Sequence, residues 1–168
     1  ERGWRALLRI EALPLFAIAF VYGAVSAIYI TFAGDHMLES GGVAGLPVAA
    51  TPAMVFLVYG LFGLSGLLAG RIEAAIGLPW LLRCVMLAGA LSLALAALLP
   101  GHWAGLVPSA GLQGMHVMMT SAVLAFWSER LFPALPSLGF TAALLANAVG
   151  SVLGPSVAGV AVDAYGPA

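Results

Sequence analysis

Between Gly111 and Ser121 the chain reads Gly-Leu-Gln-Gly-Met-His-Val-Met-Met-Thr-Ser, which sets Gln113, His116 and Thr120 three and four residues apart. On an α-helix that spacing puts all three side chains on one face, with Ser109 one turn earlier. Imidazole changes charge near neutral pH and donates or accepts through either nitrogen. His116 is therefore open to three chemistries: a proton relay, a solute ligand, or a haem or metal ligand. Metal ligation has little company, because no second His, Cys or carboxylate stands at ligand spacing on the same segment. Cys84, the single cysteine, likewise has no partner spacing. No metal and no cofactor is expected.

Two other stretches carry polar residues at helical spacing. Tyr22, Ser26 and Tyr29 are four and three residues apart, and Asn147 and Ser151 are one turn apart. Hydroxyls in an apolar helix can bond their own backbone or glue helices together. Gln113, Asn147 and His116 cost more to bury and point more strongly to a cavity or pathway. Three coherent polar faces would meet around a common polar interior. Enzyme signatures are thin: no glycine run ends in Gly-Lys-Ser or Gly-Lys-Thr, and Gly63-Leu-Ser65-Gly66 misses the Gly-x-Ser-x-Gly elbow. An enzyme is not expected.

The elements that must hold these residues follow from composition. The chain is 62% hydrophobic and 8% charged, with a mean hydropathy of +1.08, far from the roughly 25% charged residues of soluble domains. It reads as an all-α, polytopic transmembrane helix bundle whose first partner is the lipid bilayer. Six arginines, no lysine and a net charge of -1 leave no footprint for nucleic acid.

Five spans are expected, at residues 12–33, 52–70, 78–99, 104–127 and 138–162, forming one transmembrane domain over 1–168. The first covers about 33 Å at the helical rise. Polar or proline-containing connections separate the spans: a loop from Gly34 to Pro47, a charged turn from Arg71 to Gly77, Pro100 to Trp103, and Ser128 to Pro136. Arg2, Arg5, Arg9, Arg71, Arg83 and Arg130 all fall on one side of that alternating chain. The positive-inside rule then makes the N-terminus cytoplasmic, in a cell (inner) membrane, and leaves the last turn outside with a sixth span to follow.

Small residues also recur along the spans. Gly60, Gly63, Gly66 and Gly70 mark the second, and Ala146, Gly150, Gly154 and Gly159 mark the fifth, with Pro155 beside them. Such stripes let helix backbones approach closely in lipid, and packing alone accounts for them. Met115, Met118 and Met119 supply adaptable packing.

The run Gly150-Ser-Val-Leu-Gly154-Pro155-Ser-Val-Ala-Gly159-Val-Ala-Val-Asp163-Ala-Tyr-Gly166 resembles the eleventh helix of Major Facilitator Superfamily transporters. Glu129-Arg130-Leu-Phe-Pro133 fits the cytoplasmic link before that helix. Gly66-Leu-Leu-Ala-Gly70-Arg71, followed by Gly77, is similar to the weaker copy of the family's signature between helices eight and nine. Here Gly70 stands where an acidic residue commonly precedes the arginine, and Glu73 follows two residues later.

The resemblance implies helices seven to eleven of a C-terminal half, partnered by an N-terminal half of the same transporter. It implies alternating access around a midplane site. It places Gly66, Gly70, Arg71, Gly150, Gly154, Pro155 and Gly159 in helix packing and conformational change. It also places the third span outside the cavity. The expected function is secondary active transport of a small organic solute, with Tyr22, Ser26, Tyr29, Gln113, His116, Thr120, Asn147 and Ser151 lining the site and proton coupling through His116 as an extension. Two rivals stand beside it: a membrane-embedded enzyme or cofactor-binding bundle, and a small structural multi-span assembly protein.

Overall fold

The computed structural model describes residues 10–165, which leaves Arg2, Arg5, Arg9 and Gly166 outside the described residues. Among the described residues the secondary structure is entirely helical. The elements are α1 (Leu13–Glu39), α2 (Thr51–Gly63), α3 (Ala69–Ile76), α4 (Leu78–Leu98), α5 (Trp103–Leu131) and α6 (Pro136–Tyr165). Short 3-10 segments cover Ile10–Ala12, Val48–Ala50 and Leu64–Leu68. Prolines 14, 52, 79 and 136 all sit in first turns, where a missing N–H removes no intrahelical bond.

Several helix ends differ from expectation, among them that of α5, which runs on through Ser128, Glu129 and Arg130 to Leu131 where a connection from Ser128 is expected. The expected loop from Gly34 begins instead at Ser40, because α1 continues through Asp35, His36 and Glu39. A single glycine does not stop a helix. The stop comes at Gly41 and Gly42, whose positive φ angles of 92° and 69° turn the chain, and the Gly42 N–H closes on the Met37 carbonyl at 3.0 Å. The expected turn Arg71 to Gly77 is also helical: Arg71 and Glu73 lie on α3, and the break is Gly77 alone, at φ 81°. Its N–H caps the Glu73 carbonyl at 2.7 Å.

Four segments are long and apolar enough to cross a bilayer: Ile10–Glu39, Val48–Ile76, Leu78–Leu98 and Pro136–Ala164. This is the make-up of a multi-pass membrane protein. Leu67, Leu98, Val152, Val157 and Val160 lie on outward faces of those segments, where lipid would cover them. The fourth expected span is a 29-residue helix, α5, and so has the length. Gln113, His116 and its hydroxyl residues make it less apolar than the other four.

The chain divides into two compact units, with boundaries after Ile28 and after Ala122 that fall inside α1 and α5. In residues 29–122 the core joins Tyr29, Ala33 and Met37 of α1 to Val55 and Val58 of α2, Ala96 of α4, and Leu106 and Ala110 of α5. The Trp103 indole N–H fastens the connecting loop by donating to the Ala44 carbonyl at 2.8 Å. In the other unit the first part of α1 packs on α6 almost backbone to backbone. A Cβ added at Gly150 would collide with the Phe20 carbonyl, and one at Gly154 would lie 2.7 Å from Cα of Ala24. Gly23 meets the Asn147 carbonyl in the same way.

Candidate functional site

The buried polar residues are built on helices whose small residues let neighbours come close. Within residues 29–122, α4 presents Val85, Gly89, Ser92 and Ala96 along one buried face, and α5 lies against it. Ser92 Oγ donates to the Ser109 carbonyl at 2.8 Å, and Ser109 Oγ donates to the Ser92 carbonyl at 2.9 Å. Tyr29 Oη stands 3.0 Å from Ser109 Oγ. The Ser109 hydrogen is already committed to Ser92, so Tyr29 donates and Ser109 accepts. The result is a three-helix polar clamp with every hydroxyl directed.

About two turns further along α5, His116 is 2% exposed. Its Nδ1 lies 2.7 Å from the Val85 carbonyl. A carbonyl only accepts, so Nδ1 carries the proton, and in the neutral ring the lone pair is on Nε2. Thr120 Oγ1 is 3.5 Å from the same nitrogen, at the outer limit of a hydrogen bond. Gly89 makes room for the ring: a Cβ there would sit 2.8 Å from Nδ1.

The ring also borders a cavity of about 180 Å³. Ile72 and Ile76 of α3 form one wall, Leu81, Cys84, Val85 and Ala88 of α4 another, and Met115 and Met119 of α5 complete it around His116. Apart from the imidazole and the thiol, these side chains are apolar. Among the described residues no cluster of three or more His, Cys, Asp or Glu side chains is placed to hold a metal ion.

Gln113 is the outlier. It is fully buried on α5, and neither its amide oxygen nor its amide nitrogen has a hydrogen-bond partner among the described residues. In the other unit Tyr22 and Ser26 are buried on α1, the Ser26 hydroxyl without a partner among the described residues. Asn147 and Ser151 sit half-buried on α6. Ser151 Oγ shares its hydrogen between the Asn147 carbonyl at 3.0 Å and the Gly23 carbonyl at 3.3 Å.

The eight expected lining residues thus fall into distinct settings: Tyr29 in the clamp, His116 and Thr120 beside α4, Gln113 alone, and Tyr22, Ser26, Asn147 and Ser151 in the second unit. Of the expected conformational residues, Gly150 and Gly154 are at tight helix contacts and Gly66 meets Met118, with a Cβ there 2.7 Å from the Met118 Cβ. Gly159 faces open space, Pro155 lies inside α6, and Gly70 and Arg71 are exposed on α3.

The sequence reading missed the partnership of Ser92 with Ser109, and of His116 with Val85 and Gly89. The small-residue register Gly89, Ser92, Ala96 on α4 was the available signal. Against protein-family models, curated proteins and solved structures, the chain has no match.

Proposed function

We propose that the chain is part of a secondary active transporter that moves a small organic solute by alternating access, with all five long helical segments crossing the membrane. The resemblance to helices seven to eleven of the Major Facilitator Superfamily supports this, as do the four apolar segments and the polar residues buried on α1, α4 and α5. The observation that carries the reading is Gln113. A buried amide left unbonded costs on the order of 1–3 kcal/mol per group, and such groups persist in native structures where a ligand or water completes their bonds. An amide offers both donors and an acceptor, which suits a polar, uncharged part of a solute. The arginines on the described residues, Arg71, Arg83 and Arg130, keep to one side of this topology and orient the N-terminus toward the cytoplasm.

The test uses the protein in proteoliposomes and a panel of small organic solutes scored by the thermal stabilisation that binding confers. Gln113→Leu should keep or raise the unliganded stability, because it removes unsatisfied polar atoms. It should also abolish the stabilisation by the active solute and its uptake. Unchanged solute stabilisation and uptake in Gln113→Leu would overturn the reading.

A further inference from the structure

The second apolar segment is not one helix. Between α2 and α3 the five residues Leu64–Leu68 wind as a 3-10 helix, longer than such runs usually extend, and a 3-10 stretch inside a helix often marks a hinge. It starts just after Gly63, contains Gly66, and lies against α5 through Met118. Beyond it, α3 is only eight residues long and ends at Gly77, whose φ of 81° makes a second pivot. Ile72 and Ile76 on this short segment form a wall of the cavity beside His116.

We propose that this 3-10 stretch is a screw switch that exchanges the cavity wall between an apolar and an acidic face. A 3-10 helix turns about 120° per residue and rises about 2.0 Å, against about 100° and 1.5 Å for an α-helix. Conversion of five residues to α therefore turns everything beyond them back by about 100° and draws it in by about 2.5 Å. One residue of α-helix is itself about 100° and 1.5 Å. Each residue of α3 then takes the bearing of the one before it, at a level within about 1 Å. Glu73 replaces Ile72, and Gly77 replaces Ile76.

The exchange puts a carboxylate into the wall that His116 shares and opens the space that Ile76 filled. Met115 and Met119, flexible and polarizable, are suited to repack around either face. Gly77 is free to absorb the twist at the far end of α3, since glycine adopts positive and negative φ alike. The inference concerns the moving wall and stands independently of transport.

Cys84 is exposed, lines the same cavity and is the chain's single cysteine, so it reports on the wall directly. Ile72→Cys and Glu73→Cys are made separately and oxidised in membranes to close a disulfide with Cys84. Both are expected to close, because each position visits the wall in one of the two registers. Gly66→Ala should raise the Glu73→Cys rate relative to Ile72→Cys by roughly five-fold or more, since its Cβ collides with Met118 in the present register and the switch turns it away. Gly66→Ala combined with Met118→Gly, which removes the Met118 Cβ that the new methyl would meet, should return the ratio to its starting value. Closure by Ile72→Cys alone, closure by neither, or a ratio that Gly66→Ala leaves unchanged would each overturn the switch.

Discussion

Removing the Ser109 hydroxyl should destabilise the chain more than removing either of the hydroxyls that meet it. Ser109 Oγ donates to the Ser92 carbonyl and accepts from Tyr29, so Ser109→Ala deletes two interhelical bonds. Ser92→Ala deletes the bond to the Ser109 carbonyl, and Tyr29→Phe the bond to Ser109 Oγ. At about 0.6 kcal/mol for an interhelical side-chain bond in a membrane protein, the expected losses are about 1.2, 0.6 and 0.6 kcal/mol.

The double variant adds a change of sign. In Ser109→Ala the Tyr29 hydroxyl is stranded in the core, where the residue is 2% exposed, and an unsatisfied buried hydroxyl carries its own penalty. Tyr29→Phe should therefore destabilise the native chain but restore stability in the Ser109→Ala background. Equilibrium unfolding in mixed lipid and detergent micelles, titrated with dodecyl sulfate, gives all four values of the cycle. A Ser109→Ala loss no larger than that of Ser92→Ala, or a further loss when Tyr29→Phe is added to it, would refute the directed network.

Two more outcomes follow from the helix contacts. Gly23→Ala drives a methyl into the Asn147 carbonyl, backbone against backbone, and should cost about 1–3 kcal/mol as α1 and α6 separate, whereas Gly60→Ala, with nothing within 4 Å, should be neutral or slightly stabilising; the same unfolding titration separates them. Gly89→Ala places its Cβ 2.8 to 3.0 Å from three ring atoms of His116, so it should cost about 1–3 kcal/mol and break the bond to Val85. The chemical shift of an isotope-labelled imidazole would register the loss as a change in the Nδ1 environment.

Helix positions were legible in the sequence because hydropathy runs and helix-compatible prolines are local features. Helix ends were less so. Gly34 read as a stop, yet the chain turns only where Gly41 and Gly42 take positive φ. Likewise Arg71 and Glu73 read as a turn, yet charged residues sit readily on the exposed face of a short helix such as α3. In both places composition suggested water, and backbone conformation decided the break.

For the candidate site the division has a similar cause. Spacing alone established that Gln113, His116 and Thr120 share one face of α5, since periodicity is a property of a single helix. What faces them is not periodic information. Only the tertiary structure gave His116 its partner on α4, made Ser92 half of a reciprocal pair with Ser109, and left the Gln113 amide buried without a partner among the described residues. Those outcomes depend on which small residues allow two backbones to approach. Gly89 against the imidazole and Gly114 against the Tyr59 carbonyl set that approach across helices far apart in sequence.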